Sequence, residues 1–369
     1  MKLMKTTEAV GQVLCHDITQ IIPGVKKDAV FRKGHIITKE DIPVLLSVGK
    51  DTIYIWENDE TMMHENEAAE MLYRMSACGT NSNETDVEHH CEAAESGIFG
   101  GTASKMHPSP VKEGKIEVIA DCDGLLKVDS EKLKKVNSFG EMMIATRHGN
   151  TTVKKGDKLA GTRIIPLVIK KDKLKEASNI CEDGPILDIK PFVVRKAAII
   201  TTGNEVYHGR IKDAFTPVIE KKIAEFGAQM MFHEVFDDDD KKITDGCLRA
   251  IEAGAEIVFC TGGMSVDPDD KTPLAIKNTG ARIVSYGSPV LPGAMFLLSY
   301  YDAGDRLVPI CGLPGCAMYN KRTIFDIVLP RLMACDMILA DELAGLGEGG
   351  LCLNCDVCTF PNCGFGKGF

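Results

Sequence analysis

The sequence predicts an α/β protein with a doubly wound, three-layer domain, a smaller β-rich N-terminal region and a cysteine-rich C-terminal tail. Three observations support this prediction. Strand-like and helix-like segments alternate with short links between residues 195 and 334, as in a mostly parallel sheet covered by helices. Short alternating segments with turn residues dominate the chain before it. Four of the 14 cysteines lie close together near the C-terminal end.

The sequence divides into three predicted regions. Residues 1–176 form the β-rich region, with an inserted acidic segment near residues 57–104 in which Glu65–Met75 has helical spacing. Residues 177–336 form the doubly wound domain, and residues 337–369 form a linker and the tail.

The predicted elements of the central domain follow from hydrophobic periodicity. Pro330 lies inside the last predicted helix and predicts a kink or break near Leu329, because proline cannot donate the helical hydrogen bond. Strands are expected at Ala197–Ile200, Gln229–Val235, Glu256–Thr261, Arg282–Tyr286, Ala294–Ser299 and Arg306–Cys311, and helices at Pro217–Phe226, Lys241–Ala253 and Met318–Ala334.

Composition excludes several classes of function. The formal net charge of −10 argues against nucleic-acid binding, because it repels phosphate backbones. No apolar run approaches the roughly 20 residues that span a bilayer, and the polar first residues contain no signal-peptide core. We therefore expect a cytoplasmic protein with no membrane partner.

Three glycine-bearing loops follow predicted strands, and they are the candidate ligand site. They are Thr202–Glu205, Thr261–Pro273 and Gly312–Cys316. In open α/β sheets ligands bind at the carboxyl ends of strands, and glycine lets backbone N–H groups approach a phosphate. Acidic residues beside the second loop suit Mg²⁺ held between carboxylate and phosphate oxygens. The alternative for each glycine is a simple turn, and for Asp270 a cap on the following helix.

The sequence motifs in these loops resemble those of a known family. The segments Thr202-Gly203-Asn204-Glu205, Gly262-Gly263-Met264-Ser265-Val266 and Leu313-Pro314-Gly315-Cys316-Ala317 are similar to signatures of the molybdopterin-binding domain of molybdopterin molybdenumtransferases and adenylyltransferases. The ending Asp270-Lys271-Thr272-Pro273 resembles the adenylyltransferase branch. Weaker similarities near residues 9–18 and 34–48 favour the longer transferase architecture.

The resemblance implies a reaction and a set of site residues. Molybdate would be inserted into adenylylated molybdopterin, with hydrolysis of the phosphoanhydride and release of AMP. Asp270 would bind Mg²⁺ or position water, and Glu205 would be a second catalytic acid. The implied ligand-binding residues are Gly203, Asn204, Gly262, Gly263, Ser265, Thr272, Pro314 and Gly315. The resemblance also implies a homodimer.

Two departures from the family pattern support an alternative function. No Ser-Ala-Met-Asp-Gly-Tyr-Ala segment occurs in the N-terminal half, and the Lys-Pro-Gly-Lys-Pro signature appears as Leu291-Pro292-Gly293-Ala294-Met295 without its lysines. Positive charge that would help to hold molybdate is lost with them. The alternative is a non-catalytic carrier of molybdopterin or of the molybdenum cofactor, or an insertion chaperone that partners a molybdoenzyme. Molybdenum and tungsten both remain open.

The C-terminal cysteines form a second candidate site. Cys352, Cys355, Cys358 and Cys363 have the spacing Cys-x2-Cys-x2-Cys-x4-Cys, so four thiolates can reach one centre. Both Zn²⁺ and an iron–sulfur cluster use four such ligands. The run of three cysteines at two-residue intervals favours iron–sulfur over zinc, which more often uses two separated pairs.

Overall fold

The computed structural model describes residues 2–22, 26–55, 59–79, 105–265, 267 and 270–368. The chain forms two compact units. The first contains residues 1–121, 128–147 and 156–188, and the second contains residues 122–127, 148–155 and 189–369. Most of the predicted acidic insertion, residues 80–104, lies outside the described residues.

The described secondary structure contains both classes of element in each unit. In chain order the strands are β1 (Lys2–Lys5), β2 (Ile18–Ile22), β3 (Lys26–Phe31), β4 (Thr52–Ile55), β5 (Met62–His64), β6 (Met106–Pro108), β7 (Lys115–Ala120), β8 (Gly124–Val128), β9 (Met142–Thr146), β10 (Thr151–Val153), β11 (Lys158–Ile164), β12 (Val168–Lys170), β13 (Leu187–Lys190), β14 (Lys196–Thr202), β15 (Gln229–Phe236), β16 (Ile257–Thr261), β17 (Arg282–Tyr286), β18 (Leu297–Asp302) and β19 (Leu307–Leu313). The α-helices are α1 (Asp41–Ser47), α2 (Glu65–Ala77), α3 (Ser130–Ser138), α4 (Lys171–Asn179), α5 (Asn204–Tyr207), α6 (Thr216–Ala224), α7 (Asp240–Glu252), α8 (Thr272–Asn278), α9 (Ile324–Met333) and α10 (Ala340–Gly345). Among the described helices, none combines the length and apolar character needed to cross a bilayer.

In the first unit, α2 packs as part of the core. The helix predicted at Glu65–Met75 is present and extends to Ala77. His64 caps its first turn by accepting a hydrogen bond from the Asn66 N–H at 3.3 Å. The helix buries Leu72 and Met75, and the sheet β6-β7-β11-β9 belongs to the same unit. The described part of the acidic segment is therefore well packed.

The second unit is built on a sheet of order β15-β14-β16-β19-β18-β17, counted over its described strands. Strands β14, β15, β16 and β19 are parallel, whereas β18 is antiparallel to both of its neighbours. Successive residues of β14 point to opposite faces, so that Ala197 and Ile199 join one hydrophobic core and Ala198 and Ile200 the other. Helices α6 and α9 contribute to the first core, and α7 and α8 to the second. The predicted doubly wound, three-layer fold is confirmed.

The predicted helix at Met318–Ala334 needs correction. A 3-10 helix covers Gly315–Met318, and α9 begins only at Ile324. Thr323 and Asp326 form a capping box that fixes this start: Phe325 N–H donates to Thr323 Oγ1 at 3.2 Å, and Thr323 N–H donates to Asp326 Oδ2 at 2.8 Å. The helix does not break at Leu329 but runs through Pro330 to Met333, because its buried residues hold it in the core.

The C-terminal segment is packed within the second unit. Its backbone is tied on by the bonds Leu291 N–H to Gly350 O and Cys352 N–H to Leu291 O, each 2.8 Å long. Phe365 is buried in the same core as α9. Glycine is required at Gly350, where an added Cβ would lie 2.4 Å from the Pro289 carbonyl oxygen. The segment predicted as a linker and tail is thus in close contact with the domain.

Candidate functional site

The three glycine-bearing loops lie at one edge of the sheet. Strands β14, β16 and β19 are parallel neighbours, with Thr201 paired to Thr261 and Thr261 paired to Leu313. The loops that follow these three strands therefore lie at the same carboxyl edge of the sheet, where open α/β sheets bind ligands.

Glycine is required in the second loop because the loops approach each other closely. Gly262 has φ +84°, and an added Cβ would lie 2.2 Å from the Thr202 carbonyl oxygen. Gly263 has φ +54°, and its Cβ would lie 2.8 Å from Thr272 Oγ1. Both φ values disfavour other residues. The absence of a side chain at Gly262 and Gly263 therefore allows the second loop to pack closely against the first.

Two buried threonines connect the loops behind this edge. Thr202 Oγ1 lies 3.0 Å from Thr272 Oγ1 and 3.1 Å from the Thr261 carbonyl oxygen. Thr272 Oγ1 donates to the Gly262 carbonyl oxygen at 2.9 Å. Thr272 is fully buried. Its side chain therefore supports the loops from behind, and this geometry gives it a positioning role rather than direct contact with a ligand.

Asp270 braces the second loop. Its Oδ2 accepts a hydrogen bond from the Ser265 backbone N–H at 2.7 Å, while Ser265 itself is exposed. The alternative of a helix cap is not what the structure has, because Lys271 occupies the N-cap of α8 and no side chain caps that end. Asp270 is half-buried, so a ligand can still reach its carboxylate.

Glu205 and Asn204 lie in the short helix α5 after the first loop, and both are exposed. The Asn204 N–H donates to Asp238 Oδ2 at 3.2 Å, which brings an acid from the end of β15 to the same loop. No group of three or more His, Cys, Asp or Glu side chains among the described residues is arranged to hold a metal ion. The protein thus offers no complete Mg²⁺ site of its own in that part of the chain.

The third loop adds little side-chain volume at this edge of the sheet. Pro314 is buried and precedes the 3-10 helix, whereas Gly315 is exposed. A Cβ added at Gly315 would meet nothing within 4 Å. The edge is therefore open beside Gly315.

Two different family models match two different parts of the chain. A family model described as a probable molybdopterin binding domain matches residues 198–334, which contain all three loops. This segment belongs to that family. A second model, a domain of unknown function (DUF8806), matches residues 3–57.

The relatives described next each cover part of the chain. A molybdopterin molybdenumtransferase of Staphylococcus epidermidis is 28% identical over 149 residues, covering 37% of this chain and 35% of that protein. A competence-damage inducible protein of Bacillus velezensis is 29% identical over 90 residues, covering 24% of this chain and 21% of that protein. The chain thus spans about a fifth to a third of these relatives. The solved tungsten cofactor synthesizing protein MoaB from Pyrococcus furiosus is 19% identical over 38% of this chain and 94% of that one, with a TM-score of 0.34.

Sequence reasoning missed a polar cluster in the molybdopterin-binding domain. Asp213 Oδ2 accepts hydrogen bonds from Thr201 Oγ1 at 3.0 Å and Thr216 Oγ1 at 2.5 Å, and lies 3.6 Å from His233 Nε2. Burial raises the pKa of Asp213, but these hydrogen bonds outweigh it and hold the pKa below its ordinary value. No motif marks this cluster. Its only sequence signal is Asp213 preceding Thr216 at a helix start.

Tyr286 was also missed, although its strand was predicted correctly. Its hydroxyl donates to the Met264 carbonyl oxygen in the second loop at 3.3 Å. Burial, and then the charge of Asp270, raise the pKa of Tyr286 above its ordinary value. Tyr286 is 48% exposed, so part of its surface is accessible to solvent beside the molybdopterin-binding domain's central loop.

The four C-terminal cysteines do not form a ready-made site for one metal ion. Cys352 and Cys363 are half-buried, Cys355 and Cys358 are exposed, and no three metal-binding side chains in the described chain converge on a single point. A tetrahedral zinc site already formed at Cys352, Cys355, Cys358 and Cys363 is therefore not what the structure has. A hydrogen bond from the Phe360 backbone N–H, and then the Arg322 guanidinium, lower the pKa of Cys358 below its ordinary value.

Proposed function

We propose that the sheet edge of the molybdopterin-binding domain binds adenylylated molybdopterin, and that the chain inserts molybdate and releases AMP. One observation carries this proposal: three loops from parallel strands meet at one edge, with Asp270 held against the Ser265 N–H. The similarity to the molybdopterin molybdenumtransferase of Staphylococcus epidermidis supports the choice of reaction.

The first two loops would hold the phosphates. Backbone N–H groups at Gly262 and Gly263 are the proposed donors, because glycine leaves room for a close approach. The Gly203 N–H already donates to Phe236 O and the Asn204 N–H to Asp238, so Gly203 is proposed to line the site and the exposed Asn204 side-chain amide to contact the ligand. The Ser265 N–H already binds Asp270, so the exposed Ser265 hydroxyl is the group proposed to donate to the ligand. With the Ser265 hydroxyl as donor, the bond between the Ser265 N–H and Asp270 stays in place and the loop keeps its shape when the ligand binds.

The third loop and its surroundings would hold the pterin. Pro314 shapes the wall, Gly315 leaves space for the ring system, and the exposed Tyr286 offers a stacking surface. A planar heteroaromatic ligand suits this combination of open backbone and one aromatic face.

The carboxylates would act on the phosphoanhydride. Asp270 is proposed to orient a water whose oxygen attacks phosphorus, so that the anhydride P–O bond breaks and AMP leaves, with Glu205 as a second acid. Mg²⁺, if present, would be held by Asp270 together with ligand phosphate oxygens, since the described residues supply no three-ligand group. It would neutralise charge on the phosphates.

A non-catalytic carrier is the second candidate. Leu291 and Ala294 stand where the family signature Lys-Pro-Gly-Lys-Pro has its two lysines, and the loss of these lysines removes cationic donors for molybdate. Such a carrier would bind the same ligand at the same edge and pass it to a molybdoenzyme. A cytoplasmic location and a homodimer belong to both forms of the proposal.

AMP release from adenylylated molybdopterin tests the enzyme proposal. The full chain is incubated with and without molybdate and Mg²⁺, alongside Asp270→Ala and the control Asp267→Ala, whose side chain is exposed. We expect molybdate-dependent AMP release by the wild type and Asp267→Ala, and a loss of at least about 100-fold in Asp270→Ala. Ligand binding without AMP release would refute the enzyme and leave the carrier.

A further inference from the structure

A cavity of about 240 Å³ lies in the C-terminal segment, and all four clustered cysteines line it. The sequence spacing alone required only that these thiols could reach a common centre. The structure places Cys352, Cys355, Cys358 and Cys363 around one space. The remaining cysteines of the described chain are not on its wall.

The size of this cavity distinguishes between the metal centres that four thiolates can bind. A tetrahedral zinc with Zn–S bonds of about 2.3 Å brings its sulfur atoms to within roughly 3.8 Å of each other. The described cysteines do not converge in that way. A cubane cluster puts iron and sulfide between its thiolates and separates them further. Four cysteines that line one cavity of about 240 Å³, without already closing around a single ion, leave room for a cluster between them.

The wall of the cavity also has the charge that a cluster needs. A cluster with four thiolate ligands is an anion, and Lys321 and Arg322 both line the cavity. Lys321 Nζ donates to the Asp356 carbonyl oxygen at 3.2 Å, which holds it against the cysteine-bearing loop. The Arg322 guanidinium donates to Asp326 Oδ1 at 2.9 Å and lies 5.0 Å from the centre of the Phe360 ring. Cations fixed in this way offset the charge of the bound cluster.

The loop is shaped before any cluster binds. The Gly366 N–H donates to the Gly349 carbonyl oxygen at 3.0 Å, and Asn362 N–H donates to the Thr359 carbonyl oxygen at 2.7 Å. Phe365 anchors the end of the segment in the core, and Cys352 and Cys363 pack against that core. The two inner ligands are thus fixed by the fold, while Cys355 and Cys358 lie on the outer, exposed side.

We propose that this cavity holds a [4Fe–4S] cluster ligated by Cys352, Cys355, Cys358 and Cys363. The cluster would lie near the surface of the second unit, with Lys321 and Arg322 beside it. This centre is independent of the chemistry proposed at the sheet edge.

Anaerobic reconstitution of the full chain with ferric iron, sulfide and a thiol reductant, which reduces part of the iron, tests the proposal. After desalting, we expect about four iron and four acid-labile sulfide per chain, as a cubane requires, with visible charge-transfer absorption that bleaches on reduction. The Cys355→Ala/Cys358→Ala double variant removes two exposed ligands that are not part of the core, so folding should persist. Its circular dichroism spectrum checks this. The double variant should retain less than a fifth of the wild-type sulfide.

Cys335→Ala is the matched control, since Cys335 is an exposed cysteine of the same unit away from the cavity. It should reconstitute like the wild type. Wild-type protein that retains no sulfide, retains only two iron and two sulfide, or prefers one zinc when both metals are supplied would overturn the proposal. Equal iron and sulfide in the folded double variant and the wild type would overturn it as well.

Discussion

The hydroxyl groups of Thr202 and Thr272 lie 3.0 Å apart, and this contact joins the first strand of the molybdopterin-binding domain to the helix that follows its central loop. Both hydroxyls are buried and both also face backbone carbonyl groups. The candidate site thus depends on a polar contact that lies behind it, out of reach of solvent.

Replacing either threonine with valine should destabilise this contact without changing side-chain shape. Thr202→Val removes the hydrogen bond to the Thr261 carbonyl oxygen and the contact with the Thr272 hydroxyl, so we expect a loss of about 1–3 kcal/mol in the free energy of unfolding. Urea denaturation followed by circular dichroism measures the loss. Thr52→Val, at an exposed strand position, is the control and should change stability by less than about 0.5 kcal/mol. An equal effect of both variants would contradict the assigned contact.

Alanine at Gly262 should be far more harmful than alanine at Gly280. The two glycines have φ values of +84° and +85°, but only Gly262 has a neighbour, at 2.2 Å from an added Cβ. We expect Gly280→Ala to cost about 1 kcal/mol for backbone strain alone, and Gly262→Ala to cost at least about 3 kcal/mol. Parallel denaturation curves give the difference. Similar losses would mean that loop packing does not require Gly262.

Asp336 should make stability sensitive to acid. Its carboxylate contacts Lys190 Nζ and Arg331 Nε, each at 2.6 Å, and Lys127 Nζ at 2.8 Å. Burial raises the pKa of Asp336, but these cations outweigh it and lower the pKa from 3.8 to about 2. Because the folded pKa lies below the unfolded one, the stabilisation is complete above about pH 4 and is lost as the pH falls toward 2.

Asp336→Asn should therefore flatten the acid limb of the stability profile. At neutral pH it takes the carboxylate away from the buried Arg331 and from two partly exposed lysines, so we expect a loss of about 1–3 kcal/mol. Between about pH 4 and pH 2 the variant should lose less further stability than the wild type. Asp305→Asn, at an exposed carboxylate, is the control. Parallel acid limbs in the wild type and Asp336→Asn would contradict this account.

Much of the second unit could be predicted from sequence. The strand Arg282–Tyr286 was predicted at its observed bounds, and the strands containing Ala197 and Gln229 within one or two residues. Strong apolar periodicity and short links make these elements local properties of the chain. The helix start at Ile324 was missed because it depends on the cap formed by Thr323 with Asp326. Pro330 did not break α9, since tertiary packing outweighed its local preference.

The candidate site was predictable only in part. The loops were found because glycine, proline and acidic residues mark strand ends in the sequence. The roles of Thr272 as a buried support and of Asp238 as a neighbour of Asn204 depend on pairs more than 30 residues apart, and sequence spacing carries no signal for them. Tyr286 reaches the central loop across the sheet, which only the three-dimensional register reveals.

Direct titration with molybdopterin tests the central claim that this edge is the ligand site. Gly315→Leu places a side chain in the open space of the third loop without meeting another atom near its Cβ, so its melting temperature should match the wild type. We expect pterin fluorescence to show saturable binding of about one ligand per chain to the wild type, and affinity at least about tenfold weaker in Gly315→Leu. Wild-type protein that binds no molybdopterin, or a folded Gly315→Leu variant that binds it equally well, would contradict the account.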